Sequence, residues 1–299
     1  MRSIVGWTGG LAIFWAGLAL AGGSPDQKLM ALRDALVRDD VPGLVRLAVA
    51  APEIDKARAE IVRGQREEIS ADSLEWRRKD FDGSFGALLP AGAAEALLER
   101  VRPRLGEARA MFMLGSGAFF FEAAQQIRDD QSLESAERTQ LLALLQAAQL
   151  YLARVDVFDE HRMHKAISEL SRAARATALQ SYDQFRLLDF DTLLGRFGGF
   201  LPAGKRAFAA YDLDVNAILR SARFRTAAQD LDQATVSVQL TLLDVPVEFP
   251  MELHAWQGDW YLVTPEPEPV PMPNPEAEPF ATVEALMTEP AAAAEAAQP

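Results

Sequence analysis

Apolar positions recur every three or four residues near the start of the chain, at Leu29, Leu32, Leu36 and Val37. That is the period of a helix with one buried face. Ser24-Pro25-Asp26-Gln27 supplies its start: Ser24 at the N-cap, Pro25 at the first helical position, Gln27 three residues after the cap. Asp39-Asp40 interrupts the pattern, and Pro42 to Ala48 begins a second, short helix. A third opens at Pro52 with Ile54, Ala57, Ile61 and Val62 on one face, and Arg and Glu fill the other as far as about Ser70. Asp80 to Gly86 reads as a turn, and Pro90-Ala91-Gly92 leads into a helix carrying Ala94, Leu97, Leu98 and Val101. Leu141, Leu145, Ala148, Leu152 and Val155 form a 4-3-4-3 stripe, and Met163, Ile167, Leu170 and Ala174 form a second. A break near Asp156–Asp159 would make these an antiparallel hairpin; without it they are one helix, and the pattern leaves both open.

The period then changes. Val236, Val238, Leu240 and Leu242 alternate with Thr235, Ser237, Gln239 and Thr241, as in a half-buried strand. Val247, Phe249, Met251, Leu253 and Ala255 give a second strand, in which Pro250 implies an edge or a bulge. Gln257-Gly258-Asp259 is a hairpin turn, and Trp260 to Val263 is a third strand. The expected fold is α+β, a mostly helical body with a C-terminal antiparallel β-meander of about three strands.

One stretch carries no charge: Met111 to Phe121, reading Met-Phe-Met-Leu-Gly-Ser-Gly-Ala-Phe-Phe-Phe. It is too short to span a bilayer. The structural reading is a buried helix or paired buried segments. The functional reading makes Phe119, Phe120 and Phe121 an apolar wall of a ligand cavity or a surface for a partner.

Phe85-Gly86-Ala87-Leu88-Leu89-Pro90-Ala91-Gly92 matches Phe197-Gly198-Gly199-Phe200-Leu201-Pro202-Ala203-Gly204, and Asp80-Phe81-Asp82 upstream matches Asp189-Phe190-Asp191. An aromatic residue lies behind each, Trp76 and Phe185. This suggests an internal duplication of two related units, about 24–130 and 160–263. The alternative is chance recurrence of a common turn grammar. A true repeat predicts the same turn into a helix twice, with Phe85 and Phe197 both buried.

The ends differ from the body. Met1-Arg2 precedes an uncharged run from Ile4 to Ala21 that closes on Ala19-Leu20-Ala21, the layout of a cleavable signal peptide. Retention as a membrane anchor is the alternative. Cleavage would leave no transmembrane span, and the Ala, Leu and Arg-rich, Lys-poor composition suggests a GC-rich bacterial genome, which would make the compartment the periplasm. From Thr264 onward lie nine of the seventeen prolines and seven glutamates, with no lysine or arginine. Pro265 to Pro275 alternates proline with another residue and favours polyproline II, and the whole tail has a disordered composition. The segments are therefore 1–21 signal peptide, 24–160 helical unit with a long helix, 161–263 helix plus antiparallel sheet, and 264–299 Pro/Glu/Ala-rich tail. The tail holds seven of the thirteen net negative charges, so the body is only mildly acidic and has no basic stripe for nucleic acid. The chain has no cysteine, which excludes disulfides and thiol chemistry.

Tyr211-Asp212-Leu213-Asp214-Val215, Ala234 to Val238, and Trp256-Gln257-Gly258-Asp259-Trp260-Tyr261-Leu262 together resemble the end of NTF2-like or cystatin-like exported bacterial domains. Leu32 to Leu36, followed by Asp40 and Leu44, is similar to their opening helix pair. The likeness covers about a third of the chain. It implies a cone of helices against a curved sheet, and it carries no catalytic residue.

Candidate chemistry is sparse. Asp156, Asp159, Glu160, His161 and His164 cluster, but the spacing is not His-Glu-x-x-His, and a solvated helix start accounts for it. His254 reads as a surface strand residue. Ser116 is flanked directly by glycines, unlike a nucleophile elbow, which points to tight packing of small residues. Gly204-Lys205-Arg206 lacks phosphate-loop spacing. The expectation is no catalytic, metal or cofactor site. Two functions remain: a non-enzymatic envelope protein that binds another protein, or a carrier of a lipid-like ligand in a helix–sheet cavity beneath Trp256 and Trp260.

Overall fold

A computed structural model describes residues 23–263. The signal-like segment 1–21 and the tail 264–299 lie outside the described residues.

The first helices begin where the caps place them. Helix α1 (Pro25–Val37) has Ser24 at its N-cap, whose backbone N–H donates to Gln27 Oε1 at 3.4 Å. Aspartates cap four others: α2 (Val41–Ala48), α7 (Glu160–Ala176), α9 (Phe190–Phe197) and α11 (Val215–Ser221). In each, the Asp carboxylate accepts a backbone N–H of the first turn. Between them run α3 (Ala51–Arg66), α4 (Ala71–Gly83), a 3₁₀ turn (Gly86–Leu88), α5 (Ala93–Asp129), α6 (Ser135–Arg154), α8 (Tyr182–Arg186) and α10 (Phe200–Ala209). Helix α4 replaces part of the turn expected from Asp80. The break at 155–159 is present, so the two stripes are two helices, α6 and α7.

The sheet has four antiparallel strands in the order β1-β2-β3-β4, which places the α+β reading on firm ground. They are β1 (Arg223–Gln229), β2 (Gln233–Leu242), β3 (Val245–Trp256) and β4 (Asp259–Leu262). Strand β1 was not among the three expected. Its sequence, Arg-Phe-Arg-Thr-Ala-Ala-Gln, carries too little apolar contrast, and a bulge between Thr226 and Ala228 breaks its alternation. Both tight hairpins turn through left-handed residues, Leu243 and Asp244 at φ 52° and 65°, and Gln257 and Gly258 at 50° and 85°.

One core unites the two ends of the described chain. Leu29, Leu32, Leu36 and Leu44 from α1 and α2 pack with Leu219 of α11 and with Val236, Val238, Leu253, Trp260 and Leu262 of the sheet. Helix α1 lies on β1, where Thr226 Oγ1 donates to Asp26 at 3.3 Å. The sheet alternation works as expected: the inward residues of β2 and β3 line this core.

A second layer is helical. α5 has 37 residues; α6, with 20, pairs with its C-terminal half and α7, with 17, with its N-terminal half. The two partners thus lie end to end along one long helix. α7 packs in turn on α10, and α6 on β3.

The two matching segments do not share a conformation. The first is a 3₁₀ turn and a bend ending at Gly92, whose φ of 82° favours glycine. The second runs into α10, so that Pro202 and Gly204 are helical. The expected common turn is therefore absent, and Phe85 and Phe197 are each only half-buried. What the segments share is a place: Phe85 stands 5.7 Å from Phe197 and 6.0 Å from Phe200, in a cluster completed by Phe81, Phe185 and Tyr182. Trp76, by contrast, is exposed on α4.

Candidate interaction surface

Helix α5 is built with two faces. At 3.6 residues per turn, Ala94, Leu98, Leu105, Phe112, Ser116, Phe120 and Ile127 share one side. Ala94, Leu98 and Phe120 are buried there, and the Phe112 ring meets Phe158 edge to face at 5.5 Å. Ion pairs stitch this side to the chain beyond it: Arg102 to Glu160 at 3.0 Å, and Arg109 to Asp156. His164 Nε2 lies 3.9 Å from Glu95. The acidic and histidine cluster at 156–164 is thus taken up by capping and by this seam. Among the described residues no group of three or more acidic or histidine side chains could hold a metal ion.

The opposite face is bare and apolar. Met111 is 67% exposed, Leu114 83% and Phe121 63%, and Ala118 lies between them. Their spacing is three, four, three, the seam of a helix that expects another helix. Met113 and Phe119, 69% and 59% exposed, widen the patch. The structure therefore corrects the expectation that Met111–Phe121 is buried. Only Phe120 is, and it holds Phe119 in an edge-to-face pair at 5.5 Å. A monomer surface rarely leaves so many large apolar side chains together.

The glycines of this run tell the same story. A Cβ added at Gly115 or Gly117 would meet nothing within 4 Å. The expectation of tight packing around Ser116 is not met within the chain. Its hydroxyl donates weakly to Met113 O at 3.4 Å. Each mid-helix glycine costs about 0.5–1 kcal/mol relative to alanine, without any packing gain among the described residues.

The tryptophans sit elsewhere. Trp260 is buried in the main core beside Leu253 and Leu262. Trp256 is half-buried and meets the Tyr261 ring edge to face at 6.1 Å. Two open clefts, of about 380 and 530 Å³, flank α6 where it meets Val245 of β3, and neither is lined by a tryptophan. Lys205, from the glycine-lysine step, turns inward to Leu36 O and pairs with Asp39 at 2.6 Å, closing the end of α1.

Sequence reasoning missed one polar cluster. Lys28 is 6% exposed, and its ammonium stands 5.3 Å from the centre of the Tyr261 ring. Burial lowers its pKa to about 8, against a smaller opposing pull from Asp259. The Lys28 ammonium has no hydrogen-bond partner among the described residues. His254, expected at the surface, is half-buried and stacks on Tyr261 at 5.8 Å. Lys28 stands four and eight residues before Leu32 and Leu36, so its spacing places it on the core face of α1, where Tyr261 of β4 and Ala50 at the start of α3 cover it.

No helix among the described residues is long and apolar enough to cross a membrane. No family model, no curated protein and no solved structure matches this chain, so the bare face of α5 stands on its own geometry.

Proposed function

We propose that this is an exported, periplasmic, non-enzymatic protein of the cell envelope, a protein-interaction module whose docking surface is the outer face of α5. One observation carries the reading. Met111, Leu114 and Phe121 are exposed at helix–helix spacing, while the opposite face of the same helix is already occupied by α6 and α7. A helix that is apolar all round is normally covered all round. The export half of the proposal rests on the Met1–Ala21 layout. The NTF2-like likeness of 161–263 belongs to the same proposal and rests on the motifs at Tyr211–Val215, Ala234–Val238 and Trp256–Leu262. The carrier alternative draws no comparable support, because Trp260 is packed among core side chains.

The test is photo-crosslinking in intact producing cells. A photoreactive phenylalanine replaces Leu114 or Phe121 in the full chain, with Asp72 on exposed α4 as control. Adducts should form at Leu114 and Phe121, not at Asp72, and fall away when Ala118→Glu is added. Absence of adducts at both positions would end the interaction reading.

A further inference from the structure

Resting on that reading, we propose that the partner of the α5 face is a second copy of this chain, docked antiparallel about a two-fold axis level with Ser116.

The seam is symmetric about that residue. Met111 and Phe121 lie five positions to either side of Ser116, Leu114 and Ala118 two positions, and Gly115 and Gly117 one. A two-fold interface uses the same patch on both subunits. An antiparallel pair of α5 helices would set Met111 beside Phe121 of the second copy and Leu114 beside its Ala118. Large then meets small at the centre, where Gly115 and Gly117 let two backbones approach. The open space around both glycines supplies what the single chain leaves unexplained. The seam spans about 15 Å at 1.5 Å per residue, with Glu107 and Gln125 closing its two ends symmetrically.

The flanking charges select the antiparallel arrangement. Arg100, exposed, and Arg104, half-buried with its Nη1 enclosed by the chain, lie toward the N-terminal end of α5, and the exposed Asp129 lies on the same flank at its C-terminal end. None of the three makes an ion pair among the described residues. Reversing one helix about Ser116 brings Asp129 of one copy level with residue 103 of the other, between Arg100 and Arg104. A parallel pair would instead gather the arginines of both copies at one end and leave each Asp129 without a partner. An apolar seam of eleven residues is short, which suits a weak dimer that forms only as concentration rises.

Sedimentation of the full chain over a concentration series tests this. The expected result is a monomer–dimer equilibrium. Leu114→Glu should weaken it at least ~10-fold with unchanged circular dichroism, since Leu114 is 83% exposed. Arg100→Glu and Asp129→Arg, both at exposed positions, should each weaken it, and the double variant should recover dimer. Because the chain has no cysteine, single substitutions report orientation cleanly. Met111→Cys and Phe121→Cys proteins, mixed and oxidised, should give the mixed disulfide in excess over either self-pair. A full chain that stays monomeric up to ~100 μM overturns the proposal, as do Met111→Cys self-pairs in excess, which would mean a parallel pair. If the chain is monomeric while photo-adducts at Leu114 join it to other proteins, self-association fails and the interaction reading stands.

Discussion

The side-chain amide of Gln140 on α6 serves as a strand partner for Glu248 of β3. Its Nε2 donates to Glu248 O at 2.7 Å, and its Oε1 accepts from Glu248 N at 2.8 Å. Strand β4 pairs only with Leu253–Trp256, so the first half of β3 has a free edge. Glu248 turns its N–H away from β2, and by strand alternation Pro246 and Pro250 face the same way. Both prolines therefore sit where no ladder donor is lost, and this accounts for the edge position that Pro250 implied. A proline, an amide clamp and a second proline close an edge that would otherwise invite another strand.

Gln140→Ala should lower stability by about 1 kcal/mol, the net worth of two exposed hydrogen bonds. A thermal melt should register this as a drop of ~2–4 °C. Light scattering on warming should rise earlier than in the parent, because the freed edge can pair between molecules.

Lys28 should make stability rise with pH through part of the alkaline range. Its folded pKa of about 8 lies below the value of ~10.4 for an unfolded lysine. Between those values the unfolded chain binds more protons, so unfolding becomes less favourable as pH increases. Tyr261 sets the upper limit: burial raises its pKa, so its contribution is lost as pH climbs above about 10. Denaturant melts between about pH 7.5 and 10 should therefore show a rise. Lys28→Met should flatten that rise and gain about 1–3 kcal/mol at pH 7. An equal pH slope in parent and variant would contradict the assignment.

Phe85 and Phe197 should be energetically coupled, since their rings are 5.7 Å apart. Each truncation to alanine should cost about 2–4 kcal/mol, at or below the usual figure because both rings are only half-buried. A double-mutant cycle should return a coupling of about 0.5–1.5 kcal/mol. Additive losses would mean that the matching segments are neighbours without mutual support.

Much of this fold was legible because contrast marks a face. The start of α1 was readable from Ser24, Pro25 and Gln27, and β2 and β3 from strict alternation. Helix α4 was not, since Leu74 and Phe81 are isolated among charged residues. Helix α5 failed for the opposite reason. Where the run from Met111 to Phe121 carries no charge and large apolar residues fall on every side, periodicity cannot say which side is covered. The signal that could have helped was the pair Glu107 and Gln125, which lie in register with the outer seam and polarise it. The spacing of Lys28, Leu32 and Leu36 did place Lys28 on the buried face of α1; what no local pattern shows is the Tyr261 ring that covers it, more than two hundred residues later.

That same separation governs when the protein can finish folding. Helices α5, α6 and α7 meet through short connections and can assemble while the chain is still growing. Helix α1 cannot. Leu29, Leu32 and Leu36 need Val236, Val238 and Leu262, so the first ordered helix is also the last to be sheltered. Until β4 is in place, the nascent chain is a preformed helical half with an open N-terminal arm. Closing it requires a loop of about two hundred residues, whose entropy grows only logarithmically with length but must be met before any core contact rewards it. Closure of α1 on the sheet should therefore come late in folding, and it couples the integrity of the two ends of residues 23–263 to one another.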